Sequence, residues 1–138
     1  MGTPEENKAL AQRFIDALDA GDIATAAACF DIDRYYSNAY AADLATTWER
    51  MKARHRNPAF SDVTREQVVL VADGDRVVNH FRTTGTHTGE FLGMAATGKR
   101  VTIDNIEIWR IEGDKIVEHW GGAAEYDRVI RELTSEET

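Results

Sequence analysis

The sequence predicts an α+β fold in which helices come first and one sheet follows. Apolar residues recur at helical spacing in the N-terminal part, beginning with Leu10 and Phe14. From Val63 onward the spacing changes to the alternation that is typical of strands. The sequence Asp73-Gly74 predicts a hairpin turn between two of these strands, which favours an antiparallel sheet. We expect the whole chain, 1–138, to form a single domain.

Three N-terminal helices are predicted. The first begins at Thr3-Pro-Glu-Glu6, where a threonine and a glutamate three residues apart can form a capping box, and it ends at Gly21. Asp22 can cap a second, short helix from Ala24 to Phe30. The third is expected from about Asp43 to His55, because apolar positions recur at helical spacing. These positions are Leu44, Trp48, Met51 and His55.

Four antiparallel strands and a closing helix are predicted after the helices. The strands are expected at residues 67–72, 76–84, 101–111 and 115–121, and the short C-terminal helix at 125–133. The segment 31–38 mixes acids, aromatics and an amide without a period, which suits a loop or short strand beside a cavity, or a plain surface loop. Three helices across one face of a strongly curved sheet would enclose a pocket. A second copy of the chain could cover the other face, so we expect a homodimer through the outer sheet face.

The composition and net charge of the chain limit the kinds of molecule that it is expected to bind. A net charge of −8 argues against binding nucleic acid or an anionic membrane. No apolar window is long enough to cross a bilayer, and the N-terminus has no apolar run typical of a secretory signal. Cys29 is the single cysteine, which fits a cytoplasmic location. The four histidines lack metal-ligand spacing and no glycine-rich phosphate loop precedes a helix, so we expect neither metal nor cofactor.

One long stretch resembles a known family. It runs Gly85-Thr-His-Thr-Gly-Glu-Phe-Leu-Gly, then Thr97-Gly-Lys-Arg-Val, then Asp114-Lys-Ile-Val-Glu-His-Trp. These motifs are similar to the SnoaL-like group of the NTF2-like superfamily, which includes polyketide cyclases, and the order of elements resembles that superfamily over nearly the whole chain. The resemblance implies a cone-shaped α+β barrel and acid–base chemistry on an apolar small molecule.

The N-terminal half also resembles ketosteroid isomerase, through Thr3-Pro-Glu, Gln12-Arg-Phe, Ala17-Leu-Asp-Ala-Gly-Asp22 and Phe30. Compared with ketosteroid isomerase, this chain has Phe14 where the isomerase has a tyrosine and Asn38 where it has its general-base aspartate, while the second acid falls near Glu107. Steroid isomerisation by that mechanism is therefore not expected. Tyr36-Ser-Asn38 has the tyrosine–asparagine spacing with which limonene epoxide hydrolase positions a water, but Phe81 and Thr83 stand where that enzyme has acids.

SnoaL-like cyclases use an aspartate towards the C-terminal end of the sheet, and this chain has none on its last strand. His119 is the preferred substitute, with Glu125 and Asp127 as weaker candidates. The resemblance to the isomerase sets the register of the last strand and places His119 on the inner face. Since strand residues alternate between faces, Glu107 lies inward if Trp109 does.

The expected function is cyclisation, isomerisation or dehydration, with Glu107 as the acid/base and His119 as its partner. The residues expected to contact the substrate are Phe14, Tyr36, Asn38, Trp48, Asn79, Phe81, His87, Asn105 and Trp109. Three alternatives stay open: a pocket that binds without turnover, epoxide hydrolysis with water held by Tyr36 and Asn38, and a Glu107–His119 pair that only ties two strands together.

Overall fold

A computed structural model describes residues 2–38, 42–47, 49, 58–123 and 126–135, without the side chains of 122–123 and 126–129. Helix α1 spans Pro4–Asp19, α2 spans Ile23–Ala28 and α3 spans Tyr126–Thr134. The strands are β1 Tyr36–Ser37, β2 Ala42–Asp43, β3 Phe60–Asp73, β4 Arg76–His87, β5 Arg100–Glu112 and β6 Lys115–Ala123. Residues 44–47 are helical where the third helix was predicted, and the remainder of that prediction lies mostly outside the described residues.

The predicted helix starts are confirmed by their caps. The Thr3 hydroxyl accepts a hydrogen bond from the Glu6 backbone N–H at 3.1 Å, and the Glu6 carboxylate accepts one from the Thr3 N–H at 3.3 Å. The Asp22 carboxylate accepts from the Thr25 N–H at 3.1 Å at the start of α2. No helix in the described ranges is long and apolar enough to cross a bilayer.

The six strands form one mixed sheet in the order β2-β1-β6-β5-β4-β3. All neighbouring strands are antiparallel except β1 and β6, which are parallel. Strand β3 begins at Phe60, well before the predicted start at residue 67. Its N-terminal half lies exposed at the sheet edge and carries mostly polar residues, so no apolar run marked it as a strand.

The hydrophobic core lies at one end of the sheet, where α1 and α2 pack on its inner face. The ring of Phe14 contacts Phe30 and Trp109 edge-to-face, with centroids 4.9 Å and 5.7 Å away. Val77, Ile111 and Ile116 complete this cluster from three neighbouring strands. A smaller cluster of Val101, Leu133 and their neighbours closes the other end. The predicted α+β fold of helices on a curved, mostly antiparallel sheet is confirmed.

A bulge between β5 and β6 decides which side chains of β6 face inward. Ile111 pairs with Ile116, but Arg110 pairs with Glu118, so Val117 is an extra residue in β6. The extra residue shifts the alternation of the rest of β6 by one position. As a result His119 pairs with Trp109 and lies on the same inner face as Ile116.

Gly121 lies opposite Glu107 with φ of 111°, and a Cβ there would collide with the carbonyl oxygen of Ile106. We expect Gly121→Ala to lower the free energy of unfolding by about 1–3 kcal/mol, because it adds a backbone clash to the strain of a positive φ. Gly113→Ala is the control, because Gly113 also has a positive φ but a Cβ there meets no atom. Urea denaturation measures both. Equal losses in the two variants would contradict the close approach of Gly121 to β5.

Candidate functional site

The inner face of β4, β5 and β6 carries a row of polar side chains beyond the core. Asn79 on β4 pairs with Glu107 on β5, and Trp109 on β5 pairs with His119 on β6. Phe81 pairs with Asn105 one step further from the core. The orientation of these side chains agrees with the alternation predicted from the sequence.

Glu107 and His119 form an acid–imidazole pair on this face. His119 Nε2 lies 3.6 Å from Glu107 Oε1, and the His119 side chain is 10% exposed. Nε2 is buried and finds no hydrogen-bond partner in the part of the chain that the structure describes. The imidazole stacks on Trp109, with centroids 6.2 Å apart and planes inclined by 24°. The indole of Trp109 thus fixes the plane of the imidazole, and the Nε2 edge of the imidazole is directed to the Glu107 carboxylate.

Asn79 adds an amide with unused hydrogen-bonding capacity. It is 3% exposed, and its Oδ1 has no partner among the described residues. Leaving a buried polar atom unpaired costs about 1–3 kcal/mol, so each such atom in a native fold requires an explanation. Asn79 is directly opposite Glu107, so its orphaned oxygen belongs to the same small region as the orphaned Nε2 of His119. Such a region is suited to a ligand that supplies the missing partners.

Ser37 is a member of this region that sequence reasoning missed. Its Oγ lies 3.3 Å from His119 Nδ1, and the serine is completely buried. The contact arises because β1 pairs in parallel with β6, which sets Ser37 opposite His119. No local pattern in a two-residue strand predicts this pairing across 82 positions. We call Ser37, Asn79, Glu107 and His119 the interior polar cluster.

The expectation that Tyr36 and Asn38 line the pocket is wrong. Ser37 takes the inward position of β1, so its two neighbours lie on the outer face. Tyr36 is 45% exposed, and Asn38 donates a hydrogen bond from Nδ2 to the outward carboxylate of Glu118 at 3.1 Å. The tyrosine–asparagine water site expected from the epoxide hydrolase resemblance is therefore not formed inside the barrel.

The other predicted substrate contacts fall in different places. Phe14 lies in the core, where it packs on Trp109. Asn105 donates from Nδ2 to the Thr83 hydroxyl at 3.3 Å, so it continues the polar row. Trp48 lies outside the described residues, as do the side chains of the weaker candidates Glu125 and Asp127.

His87 is not brought together with Glu107. It is eight residues beyond Asn79 on β4, a strand length of about 26 Å. Its ring lies near Phe60 and Phe91, and its Nδ1 accepts a hydrogen bond from the Thr97 backbone N–H at 3.3 Å. His87 therefore holds the loop between β4 and β5 in place.

The described residues contain no group of three or more His, Cys, Asp or Glu side chains that could hold a metal ion. A cavity of about 230 Å³ lies elsewhere, between the start of α1 and the β3–β4 turn. Asn7 and Gly74 both line it, and Asn7 donates to the Gly74 carbonyl at 3.1 Å. It lacks the paired acid and imidazole of the interior polar cluster, so that cluster is the stronger candidate site.

Comparison with known proteins agrees with this architecture. The family model of the SnoaL-like polyketide cyclases matches residues 8–128. The chain belongs to the SnoaL-like polyketide cyclase family. No curated protein matches the sequence.

Several solved structures share the SnoaL-like fold. AclR from Streptomyces galilaeus, a proposed hydroxylase, is 29% identical, with a TM-score of 0.72 over 94% of this chain and 96% of that one. A proposed SnoaL-like polyketide cyclase from Jannaschia sp. CCS1 is 16% identical, with a TM-score of 0.78 over 99% of both chains. IdmH from Streptomyces antibioticus, a proposed polyketide cyclase, is 22% identical, with a TM-score of 0.66 over 91% of this chain and 96% of that one.

The outer face of this SnoaL-like sheet carries ion pairs directly behind the candidate site. Arg110 donates from Nε to Glu118 at 2.8 Å and from an Nη to Glu112 at 2.6 Å, and Arg34 donates to Glu112 at 2.7 Å. On β4 and β5, His80 Nε2 lies 2.7 Å from Asp104 Oδ1.

These bonds change the acidity of the two glutamates. The hydrogen bond from Arg110, followed by a weaker one from Asn38, lowers the pKa of Glu118 from its ordinary value. The hydrogen bonds from Arg110 and then Arg34 lower the pKa of Glu112. Both carboxylates therefore stabilise the fold in their ionised form.

We expect Arg110→Met to lower the free energy of unfolding at pH 7. A carboxylate with a lowered folded-state pKa contributes stability above its ordinary pKa, and this contribution is lost as pH falls through the lowered value. The difference between wild type and variant should therefore shrink below about pH 4.5 and vanish in stronger acid. Denaturant titrations across this pH range measure it. Arg13→Met is the control, because Arg13 has no ion pair in the described residues; a difference constant with pH at Arg110 would contradict the assignment.

Proposed function

We propose that this SnoaL-like chain is a cofactor-free enzyme that moves protons on an apolar small molecule, in a cyclisation, isomerisation or dehydration. Glu107 is the acid/base and His119 is its partner. The observation that carries the proposal is the pair itself, with 3.6 Å between Oε1 and Nε2 and with Nε2 buried and unpartnered. A pair needed only to tie β5 to β6 would be expected to close into a hydrogen bond, and 3.6 Å is too long for one.

The proposed step is an internal proton transfer. The Glu107 carboxylate takes a proton from an acidic carbon of the substrate, and the resulting anion reacts within the same molecule or is reprotonated at another atom. The proton is returned to the substrate by Glu107, or by His119 Nε2 if it has first passed from Glu107 to that nitrogen. This proton transfer requires no oxidant and no second reactant. Asn79, directly opposite Glu107, can orient a substrate hydroxyl, which would donate to its unpartnered Oδ1.

The walls around the cluster favour an apolar ligand. Phe81, Ile103 and Trp109 all lie on the inner face, and Phe81 and Trp109 are buried. Few polar groups among apolar walls are typical of small-molecule sites. The family model and the cyclase-named structures support a substrate of the polyketide type, which is part of this proposal. We also propose a cytoplasmic location, supported by the free thiol of Cys29.

We expect Glu107→Gln to lower kcat by roughly 10²–10⁴-fold, since an amide cannot accept the proton that a carboxylate takes. Glu66→Gln is the matched control: Glu66 pairs with the outward-facing Arg82, away from the cluster. A panel of β-keto polyketide and enone substrates, followed by mass spectrometry, provides the assay. The proposal is contradicted if Glu107→Gln turns over a substrate at the wild-type rate.

The same assay separates the alternatives. Tight binding of a panel compound with no turnover by the wild type would support a binding protein. A diol product that contains an oxygen atom from water would support epoxide hydrolysis. The Tyr36–Asn38 site predicted for that reaction is not formed on the inner face. A product that gains an oxygen atom from O₂ would support the activity for which AclR is named and contradict ours.

We further propose that two copies of the chain associate through the outer sheet face. Val71, Val78, Ile108 and Trp120 lie in one row across β3, β4, β5 and β6, and Val69 and Ile106 lie in the next row. Of these, Val69, Val71 and Ile106 are exposed large apolar side chains. Charges of both signs flank the rows, including Arg82 and Asp104 at 3.0 Å. A face with an apolar centre and charges of both signs can be complementary to its own copy across a two-fold axis.

We expect Ile106→Lys to produce a monomer, because it introduces a charge at the centre of the proposed interface. Ile32→Lys is the control, because Ile32 is an exposed isoleucine outside the sheet. Sedimentation equilibrium of the three proteins measures the masses. A monomeric wild type, or an Ile106→Lys dimer as tight as the wild type, would rule out this interface.

A further inference from the structure

We infer that Ser37 is a positioning residue for His119: its hydroxyl accepts a hydrogen bond from Nδ1–H and so reserves Nε2 for proton exchange with Glu107. This inference rests on the proposed acid–base function of the pair. It assigns a role to a residue that neither the sequence motifs nor the family resemblance singled out.

The geometry holds the ring from several sides. Ser37 Oγ lies 3.3 Å from His119 Nδ1. Glu107 Oε1 lies 3.6 Å from Nε2, the other nitrogen of the same ring. The Asn38 backbone N–H donates to the His119 carbonyl at 2.7 Å, so β1 also fixes the backbone of His119. Stacking on Trp109 restricts rotation of the imidazole. The two ring nitrogens therefore have distinct neighbours.

The proton count decides the direction of the Ser37 bond. If Glu107 and His119 share one proton, that proton lies on Oε1 or on Nε2. Nδ1 carries a hydrogen in both placements, so an acceptor opposite Nδ1 is compatible with both. If Ser37 donated to a bare Nδ1 instead, Nε2 would carry the only ring hydrogen, and His119 could not take the proton from Glu107. A serine hydroxyl can accept, whereas an alanine cannot.

Ser37 itself is not placed to attack a substrate. It is completely buried, and it contacts the nitrogen of His119 that does not face Glu107. A nucleophilic serine needs its oxygen open to the substrate beside the base. The contact between Ser37 Oγ and His119 Nδ1 therefore indicates that Ser37 controls the tautomer of the histidine.

Long-range ¹H–¹⁵N spectra of the histidine rings in the full-length, ¹⁵N-labelled protein test this inference without any substrate. His119→Gln identifies the His119 signals. In the wild type we expect Nδ1 of His119 to carry a hydrogen. In Ser37→Ala we expect the Nε2–H tautomer, with a bare Nδ1, to become populated. Ser37→Thr, which keeps the hydroxyl, should restore the wild-type pattern.

Ser61→Ala is the matched control. Ser61 lies on the edge strand β3, away from His119, and its hydroxyl accepts a hydrogen bond from Thr88. A bare Nδ1 in the wild type would overturn the inference, whether or not Ser37→Ala folds. Retention of Nδ1–H in a folded Ser37→Ala would also overturn it, as would covalent labelling of Ser37 by a fluorophosphonate. These outcomes are independent of turnover by Glu107→Gln, which tests the proposed function alone.

Discussion

The placement of His119 on the inner face depends on one extra residue in β6. The turn at Glu112–Lys115 would, with regular alternation, set Glu118 opposite Trp109 and direct His119 outward. The bulge at Val117 shifts the rest of the strand, so that His119 meets Trp109 inside and Glu118 meets Arg110 outside. Both contacts are favourable, because the imidazole of His119 stacks on the indole of Trp109 and the carboxylate of Glu118 pairs with the guanidinium of Arg110. The interior polar cluster exists only in this register.

The sequence carried enough information for the fold but only part of the site. Capping residues and the change of period predicted the first two of the three expected N-terminal helices and the four long strands, because these signals are local. The inward orientation of Glu107 followed from alternation along one strand that contains the buried Trp109. His119 was oriented by family resemblance. The turn alone would have placed it on the wrong face, since a bulge has no clear local signal.

Strand β1 shows why the rest could not be predicted. It is two residues long and pairs in parallel with the distant β6, so no alternation within it reveals its faces. The spacing of Tyr36 and Asn38 matched that of the epoxide hydrolase water site. It could not indicate that both side chains lie on the outer face, because that depends on the register with His119. The residue between them, which carried no motif, became the interior contact.

The two faces of the sheet are coupled at this point. Ser37, the last residue of β1, contacts His119 on the inner face, and the next residue, Asn38, donates to Glu118 on the outer face. Glu118 is further held by Arg110. A slip of β1 or β6 by one residue would therefore break an exposed ion-pair network and remove the imidazole from Glu107 together. The outer network stabilises the register on which the interior geometry depends.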